Sequence, residues 1–340
     1  MGKAVKTILI GCILSGSFIF FSLFAALYFF HTDYARQMIQ SEINKGIPGT
    51  VIWKKHKISI FSGSIEIENL WLKDLDGKDV IFLPHLFLKI SWADIPLGIL
   101  NFETIVFNKP KVQLHEDETG KLNLIKSLIK DGDSSEGTSV PGFPINVKIK
   151  NAILREGELQ YQSGSDTRIL LPKIGIEVEK ADLLKQEARI SVELSGGEIF
   201  FESIQSQLDS VSLKTRLSQN QLSPLSIKLI TKNGSQVKAS GSFVDVFHQF
   251  RPELEIEIDG EIKDILRTFS IYTEAHGIIS AKGSIKGSLA NPRIDMVAKC
   301  LDGDIVGTRF DQAELCCHMD SGIVKIEKAS LLLPFGSLNL

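Results

Sequence analysis

The densest run of ionisable side chains sits inside KPKVQLHEDETGKLNL, residues 109–124, where His115, Glu116, Asp117 and Glu118 follow one another. A histidine beside three carboxylates has the residue types for a metal site or for general acid–base catalysis. The spacing argues against both. Val112 and Leu114 alternate with Lys111 and Gln113, so the run leaves an extended strand, and consecutive strand residues point to opposite faces. A calcium loop would space its acids as D-x-D-x-D-G. Acidic residues followed by Thr119-Gly120 are also what a tight turn prefers. The expectation is a hairpin tip, with Asn123 capping a short helix that follows. The rival reading is a hydrolase using His115 and the neighbouring acids.

No other stretch offers stronger chemistry. There is no GxxxxGK[ST] loop, no GxSxG elbow and no HExxH. The seven histidines, His31, His56, His85, His115, His248, His276 and His318, are scattered, and none has a second at helical ligand spacing. The four cysteines, Cys12, Cys300, Cys316 and Cys317, form no C-x-x-C pair. Cys300 with Cys316 or Cys317 fits a disulfide in an oxidising compartment, and it fits buried strand thiols equally well. A net charge of −3 over 340 residues carries no basic footprint for nucleic acid. No cofactor motif is present, and the reading is non-enzymatic.

The elements that would position these residues begin with a membrane segment. Thr7 to Phe30, TILIGCILSGSFIFFSLFAALYFF, is 24 residues without a charge. As a helix it would cover about 36 Å, more than the roughly 30 Å hydrocarbon core. Lys3 and Lys6 precede it and should stay cytoplasmic, so the remainder is translocated. A cleavable signal peptide would have a shorter apolar core and a polar mature start. Here Leu-Tyr-Phe-Phe follows Ala25-Ala26, which favours an uncleaved anchor over residues 1–32. A short polar helix, Asp33 to Lys45, is expected to end at Gly46.

Beyond Val51 the hydrophobic period is two, the mark of half-buried strands. Leu254, Ile256 and Ile258 alternate with Glu253, Glu255, Glu257 and Asp259. Val147 and Ile149 alternate with Asn146, Lys148 and Lys150. Ile174, Ile176 and Val178 alternate with Gly175, Glu177 and Glu179. Ile65 and Ile67 give way to Leu70 and Leu72, a slip of phase that places a bulge near Asn69. Helical expectations are few: one turn over 93–100, Asn123–Lys130, Asp245–Phe250, and Glu261–Phe269 with the stripe Ile262, Ile265, Leu266, Phe269. DGDSSEGTSVPGFP, residues 131–144, reads as a flexible linker. It divides a β-rich module over 33–130 from a repetitive β region over 145–340. In that region GSQVKASG from Gly234 and GIISAKG from Gly277 are two similar units, each followed by Ser.

Four features together resemble the AsmA-like family of bacterial envelope proteins, which includes TamB. One is the anchor followed at once by β structure. The second is the order IEIENLWL from Ile65, LFLKISW from Leu86 and IPLGIL from Ile95. The third is IVFNKPKVQL from Ile105, then the acidic turn with Gly120, then Leu122-Asn-Leu, similar to a stretch this family often writes as P-x-v-x-l, acidic turn, G-x-x-N-l. The fourth is GIISAKGSIKGSLANPRID from Gly277, followed by DGDIVG from Asp302 and GIVKI from Gly322. The chain stops at FGSLNL within what reads as another strand, so a short member or a truncated product is the expectation.

The resemblance implies a mostly β fold: an N-terminal transmembrane helix, then a long curved antiparallel sheet, groove or open barrel, with a few short helices. It implies a single-pass protein of the inner membrane, N-terminus cytoplasmic and bulk periplasmic. Its partner would be phospholipid carried between inner and outer membranes, or an outer-membrane barrel protein whose assembly it supports. The residues expected to line the groove are Ile65, Ile67, Val112, Leu114, Val147, Ile149, Ile174, Ile176, Val178, Leu254, Ile256 and Ile258. Alternation alone fits an ordinary β-sandwich equally, its apolar rows packed together as core.

Overall fold

The computed structural model describes residues 29, 32–117, 120–129, 146–164, 167–201, 204–246, 250–268, 275–288, 291–305, 307–320 and 322–339. Apart from Phe29, the apolar run 7–30 lies outside these residues, as do the linker 131–144, His248 and Phe269. No helix among the described residues is long and apolar enough to cross a membrane.

The first described helix, α1 (Asp33–Gly46), starts at Thr32, whose Oγ1 accepts from Ala35 N at 3.2 Å. Asp33 in its first turn and Lys45 in its last complement the helix dipole. Strand β1 (Thr50–Ser59) follows. One side of α1 closes the free edge of β1. Arg36 donates to Lys54 O, Gln40 Nε2 to Trp53 O at 2.9 Å, and Asn44 both donates to Val51 O and accepts from Val51 N. Positions 36, 40 and 44 recur every helical turn, so three side chains satisfy backbone groups that an edge strand would otherwise leave open.

The chain then runs as a long meander. Strands β2 (Ser64–Lys73), β3 (Asp79–Ser91), β4 (Ile99–Asn108) and β5 (Lys111–His115) are followed by helix α2 (Asn123–Leu128). Strands β6 (Asn146–Ser163), β7 (Thr167–Asp182), β8 (Glu187–Phe201), β9 (Ile204–Ser218), β10 (Gln221–Thr231), β11 (Gln236–Val244) and β12 (Arg251–Glu261) come next. Helix α3 (Ile262–Thr268) precedes β13 (Ala275–Ser288), β14 (Asn291–Ile305), β15 (Thr308–Asp320), β16 (Ile323–Leu333) and β17 (Gly336–Asn339). A 3-10 turn, Trp92–Leu97, links β3 to β4 and ends at Gly98, φ 72°. It matches the turn expected over 93–100, and α1, α2 and α3 match three further helical expectations within two residues. Residues 245 and 246 are not helical, and 247–249 lie outside the description.

All seventeen strands belong to one sheet. Neighbours in sequence pair antiparallel, with one exception. β4 and β5 lie end to end, both antiparallel to β3 and both parallel to β6. A parallel pair needs a crossover of a dozen or more residues, and residues 116–145 supply it. The sheet therefore continues across the linker: Ile99 to Asn108 pair with Asn146 to Arg155.

A crease crosses the first strands. Asn69 has φ 52°, Lys109 φ 51° and Glu156 φ 51°. Register puts Lys54, Asn69, Pro84, Lys109 and Glu156 on one line. The pleat changes phase on this line in every strand. Ile65 and Ile67 give way to Leu70 and Leu72, Leu86 and Leu88 to Leu83 and Ile81, and Phe107 to Val112. Register is unbroken at Asn69, since Trp53–Leu70 and Lys55–Glu68 keep one offset. The expected slip is thus a left-handed residue rather than an inserted one. Asn tolerates that conformation. Pro84 and Pro110 cannot donate to a ladder, so the break in pairing falls on the same line.

No described pairing joins β1 to β17, so the sheet is open. Among the described residues no second sheet covers it. Among the described residues only eighteen apolar side chains are buried, whereas face-packed sheets hide about half of each strand.

Candidate functional site

Cross-strand register decides which side chains share a face. Ile65 and Ile67 stand between Ile58 and His56 of β1 and Leu88 and Leu86 of β3. Val112 and Leu114 pair with Leu159 and Tyr161, and Val147 and Ile149 with Leu100 and Phe102. Ile174, Ile176 and Val178 meet Leu194, Val192 and Ile190. Leu254, Ile256 and Ile258 have Gly241, Ala239 and Val237 on one side and Ile285, Gly283 and Ala281 on the other. All twelve residues fall on one face. Leu254 and Ile258 are buried, and the other ten are half-buried.

One row spans the sheet. It runs His56, Ile67, Leu86, Phe107 and Leu154, then Ile176, Val192, Leu213, Ile227 and Ala239, then Ile256, Gly283, Met296, Cys317 and Ile326. Fifteen strands contribute one residue each, and none carries a carboxylate, ammonium or guanidinium group; His56 sits at the β1 edge. Fourteen steps of about 4.8 Å make a path of about 67 Å. Behind it lies a second apolar row, from Ile174 through Leu194, Val211, Leu229 and Val237 to Ile258.

Over β12–β16 the other face carries charge pairs. Lys282 Nζ donates to Glu257 at 2.8 Å. Glu314 sits between Lys299 at 3.3 Å and Lys328 at 2.7 Å. Hydrogen bonds from Lys328 and Lys299 hold the Glu314 carboxyl below its ordinary range. A lowered folded-state pKa gives stability that is complete above the ordinary value of 4.5 and is lost as pH falls through the folded value. Glu314→Gln should therefore lower the melting temperature at pH 7 and flatten its fall below about pH 4.5. Thermal unfolding followed by circular dichroism between pH 7 and pH 3 checks this; parallel curves for the two proteins would refute it.

Helix α3 lies on the apolar face. Ile262 packs with Ala275, Cys300 and Phe310, and Ile265 with Ile258 and Ala281. Its Asp264 is buried and accepts from Thr231 Oγ1 and from Asn233 Nδ2 at 2.9 Å. Beside the helix is a cleft of about 340 Å³ lined by Ile262, Cys300, Phe310, Ala313, Leu331 and Leu338. Gly303 makes room for Phe310, since a Cβ there would stand 2.0 Å from the ring. The stripe of α3 was legible in sequence; that it covers the apolar rows was not.

The acidic run does not converge. Asp117 N donates to Lys121 O at 3.1 Å and Gly120 N to Asp117 O at 3.0 Å, with Gly120 at φ 76°. This is a hairpin tip, closed by the Glu116–Leu122 bridge. Asp117 pairs with Lys126. Glu116 accepts from Ser163 Oγ at 2.6 Å. That bond and a second from Tyr161 lower the Glu116 pKa, and Glu116 in turn raises that of Tyr161. Glu118 lies outside the described residues. Asn123 is not the cap of α2; Leu122 holds that position. The Asn123 amide instead accepts from His115 N at 3.0 Å and donates to Gln113 O at 3.0 Å, tying the helix to β5. Among the described residues no three His, Cys, Asp or Glu side chains could hold a metal ion.

The described cysteines are free. Cys317 stands opposite Met296, four residues from Cys300 along β14, about 13 Å away. A disulfide needs Cα atoms within about 7 Å, so register separates Cys300 from both candidates. Burial raises the Cys300 pKa.

No protein-family model, curated protein or solved structure matches this chain.

Proposed function

We propose that this chain is an AsmA-like, non-enzymatic phospholipid conduit of the bacterial envelope. Residues 1–32 anchor it in the inner membrane with the N-terminus cytoplasmic, and the sheet stands in the periplasm and curves into a trough. The twelve residues from Ile65 to Ile258 line that trough, and acyl chains move along it toward the outer membrane. The observation that carries this reading is the apolar row of about 67 Å, over which α3 is packed at β12–β14. An acyl chain taken out of a bilayer loses about 0.8 kcal/mol per CH₂. A continuous apolar strip restores part of that at every step, whereas a polar gap would stop the chain. Charge pairs on the opposite face of β12–β16 keep that side of the sheet in water.

The test is native mass spectrometry of the full chain purified in mild detergent. Phospholipid is expected to co-purify, and a lipid-free chain overturns the reading. The runner-up is a scaffold for outer-membrane protein assembly. The unpaired side of β16 over 323–329, where Ile323, Val324 and Ile326 are exposed, favours it. A lipid-free chain that cross-links from Lys325 to a barrel protein would move the reading there.

A further inference from the structure

We infer that one rim of the sheet, built by three turns near its N-terminal edge, dips into the same bilayer that holds the anchor. The turns are 60–63 between β1 and β2, Trp92–Leu97 between β3 and β4, and 183–186 between β7 and β8. All three lie at the same ends of the strands. They expose Phe61 at 79%, Leu97 at 73% and Leu184 at 77%, together with Trp92, Ile95 and Leu183. Trp92 Nε1 donates to Ile60 O, which joins the first two turns. The carboxylates beside these turns are tied down: Asp94 accepts from Asn101 Nδ2 at 2.8 Å and Asp182 from Lys185 N at 3.1 Å. A tryptophan with a tied N–H and an apolar body is a typical occupant of the bilayer interface.

The opposite rim also exposes apolar side chains, Ile125 and Leu128 of α2 and Leu75 between Asp74 and Asp76. The course of α1 separates the two rims. Its contacts pass from Lys54 at Arg36 to Val51 at Asn44, so the helix runs antiparallel to β1. Its N-terminus therefore points to the rim that carries Phe61 and Trp92. Measured along β1, that turn stands about 10 Å beyond Thr32. The apolar run ends at Phe30. A bilayer whose headgroups begin there meets the rim at the depth interfacial side chains reach, about 5–10 Å. The inference rests on the anchor reading above.

The full chain is reconstituted into vesicles of phosphatidylethanolamine and phosphatidylglycerol with brominated acyl chains. The native tryptophan emission should be quenched, and Trp92→Phe should remove most of the quenching. Leu75→Trp in the Trp92→Phe background places a reporter on the opposite rim and should not restore it. Quenching unchanged by Trp92→Phe, or restored by Leu75→Trp, overturns the inference. A chain that fails to float with the vesicles overturns the anchor instead. Both variants are at exposed turn positions, and flotation with unchanged circular dichroism confirms that each is folded.

Discussion

Ile256→Asp is expected to strip phospholipid from the chain while leaving its melting temperature within a few degrees of the parent. Ile256 lies on β12 in the long apolar row, with Ala239 on one side and Gly283 on the other. It is half-buried and packs against the Ile258, Ile265 and Ala281 cluster, so the folded chain loses part of one side chain's burial, about 1–2 kcal/mol. For a ligand the same change is severe. An acyl chain passing this rung must desolvate the carboxylate or leave the sheet, and an unpaired ion moved out of water costs several kcal/mol. A loss of roughly 3 kcal/mol at one rung lowers occupancy about a hundredfold. Glu257→Gln, one residue on and on the opposite face, is the control and should leave the lipid in place. The measurement is phospholipid per chain by native mass spectrometry beside thermal unfolding. Equal lipid in Ile256→Asp and the parent would sink the conduit reading.

How far this surface could be read from sequence differs from element to element. The period-two pattern of Glu253 to Asp259 fixes which side of β12 is apolar, because alternation is local. The step from Ile67 to Leu70 announces a change of phase at Asn69 for the same reason. That Asn69, Pro84, Lys109 and Glu156 share one line was not readable, since alignment is a matter of register between residues up to 87 positions apart. Nor was the choice between an open face and a sandwich. Both need the same alternation, and they differ only in what stands above the row.

The linker is a different case. Its Gly, Ser and Pro content marks a break in regular structure, and composition cannot say whether the strands on either side pair. Here β6 returns beside β4 and β5, and 131–144 lies within one sheet's connectivity rather than between two. At KPKVQLHEDETGKLNL the turn was legible from Gly120 and the acids. The part played by Asn123 was not. An Asn before a helical pattern reads as a cap, but β5 offers the backbone of Gln113 and His115 within its reach, and the amide satisfies both groups at once.

The largest stability effect is expected at Asp264. Helix α3 has seven residues, too few to hold together alone. It stays on the apolar face through Ile262 and Ile265 and through the Asp264 carboxylate. An ionised carboxylate only accepts, and both Thr231 Oγ1 and Asn233 Nδ2 donate to it. Asp264→Ala leaves buried Thr231 without this acceptor, a cost of about 1–3 kcal/mol, while exposed Asn233 turns to water. Asp264→Asn should cost under about 1 kcal/mol, because its oxygen still takes the Thr231 proton and a flipped Asn233 amide can accept from its nitrogen. The loss should be local first, since α3 can lift while the strands stay paired. Cys300, buried beneath Ile262, reports on it. Alkylation at Cys300, followed by peptide mass spectrometry, should speed up about thirtyfold in Asp264→Ala, the equivalent of 2 kcal/mol of easier opening. Cys316, on the opposite face, should keep its rate. Faster labelling at both sites would mean that the whole sheet has loosened. An unchanged rate at Cys300 would mean that the apolar contacts hold α3 without the carboxylate.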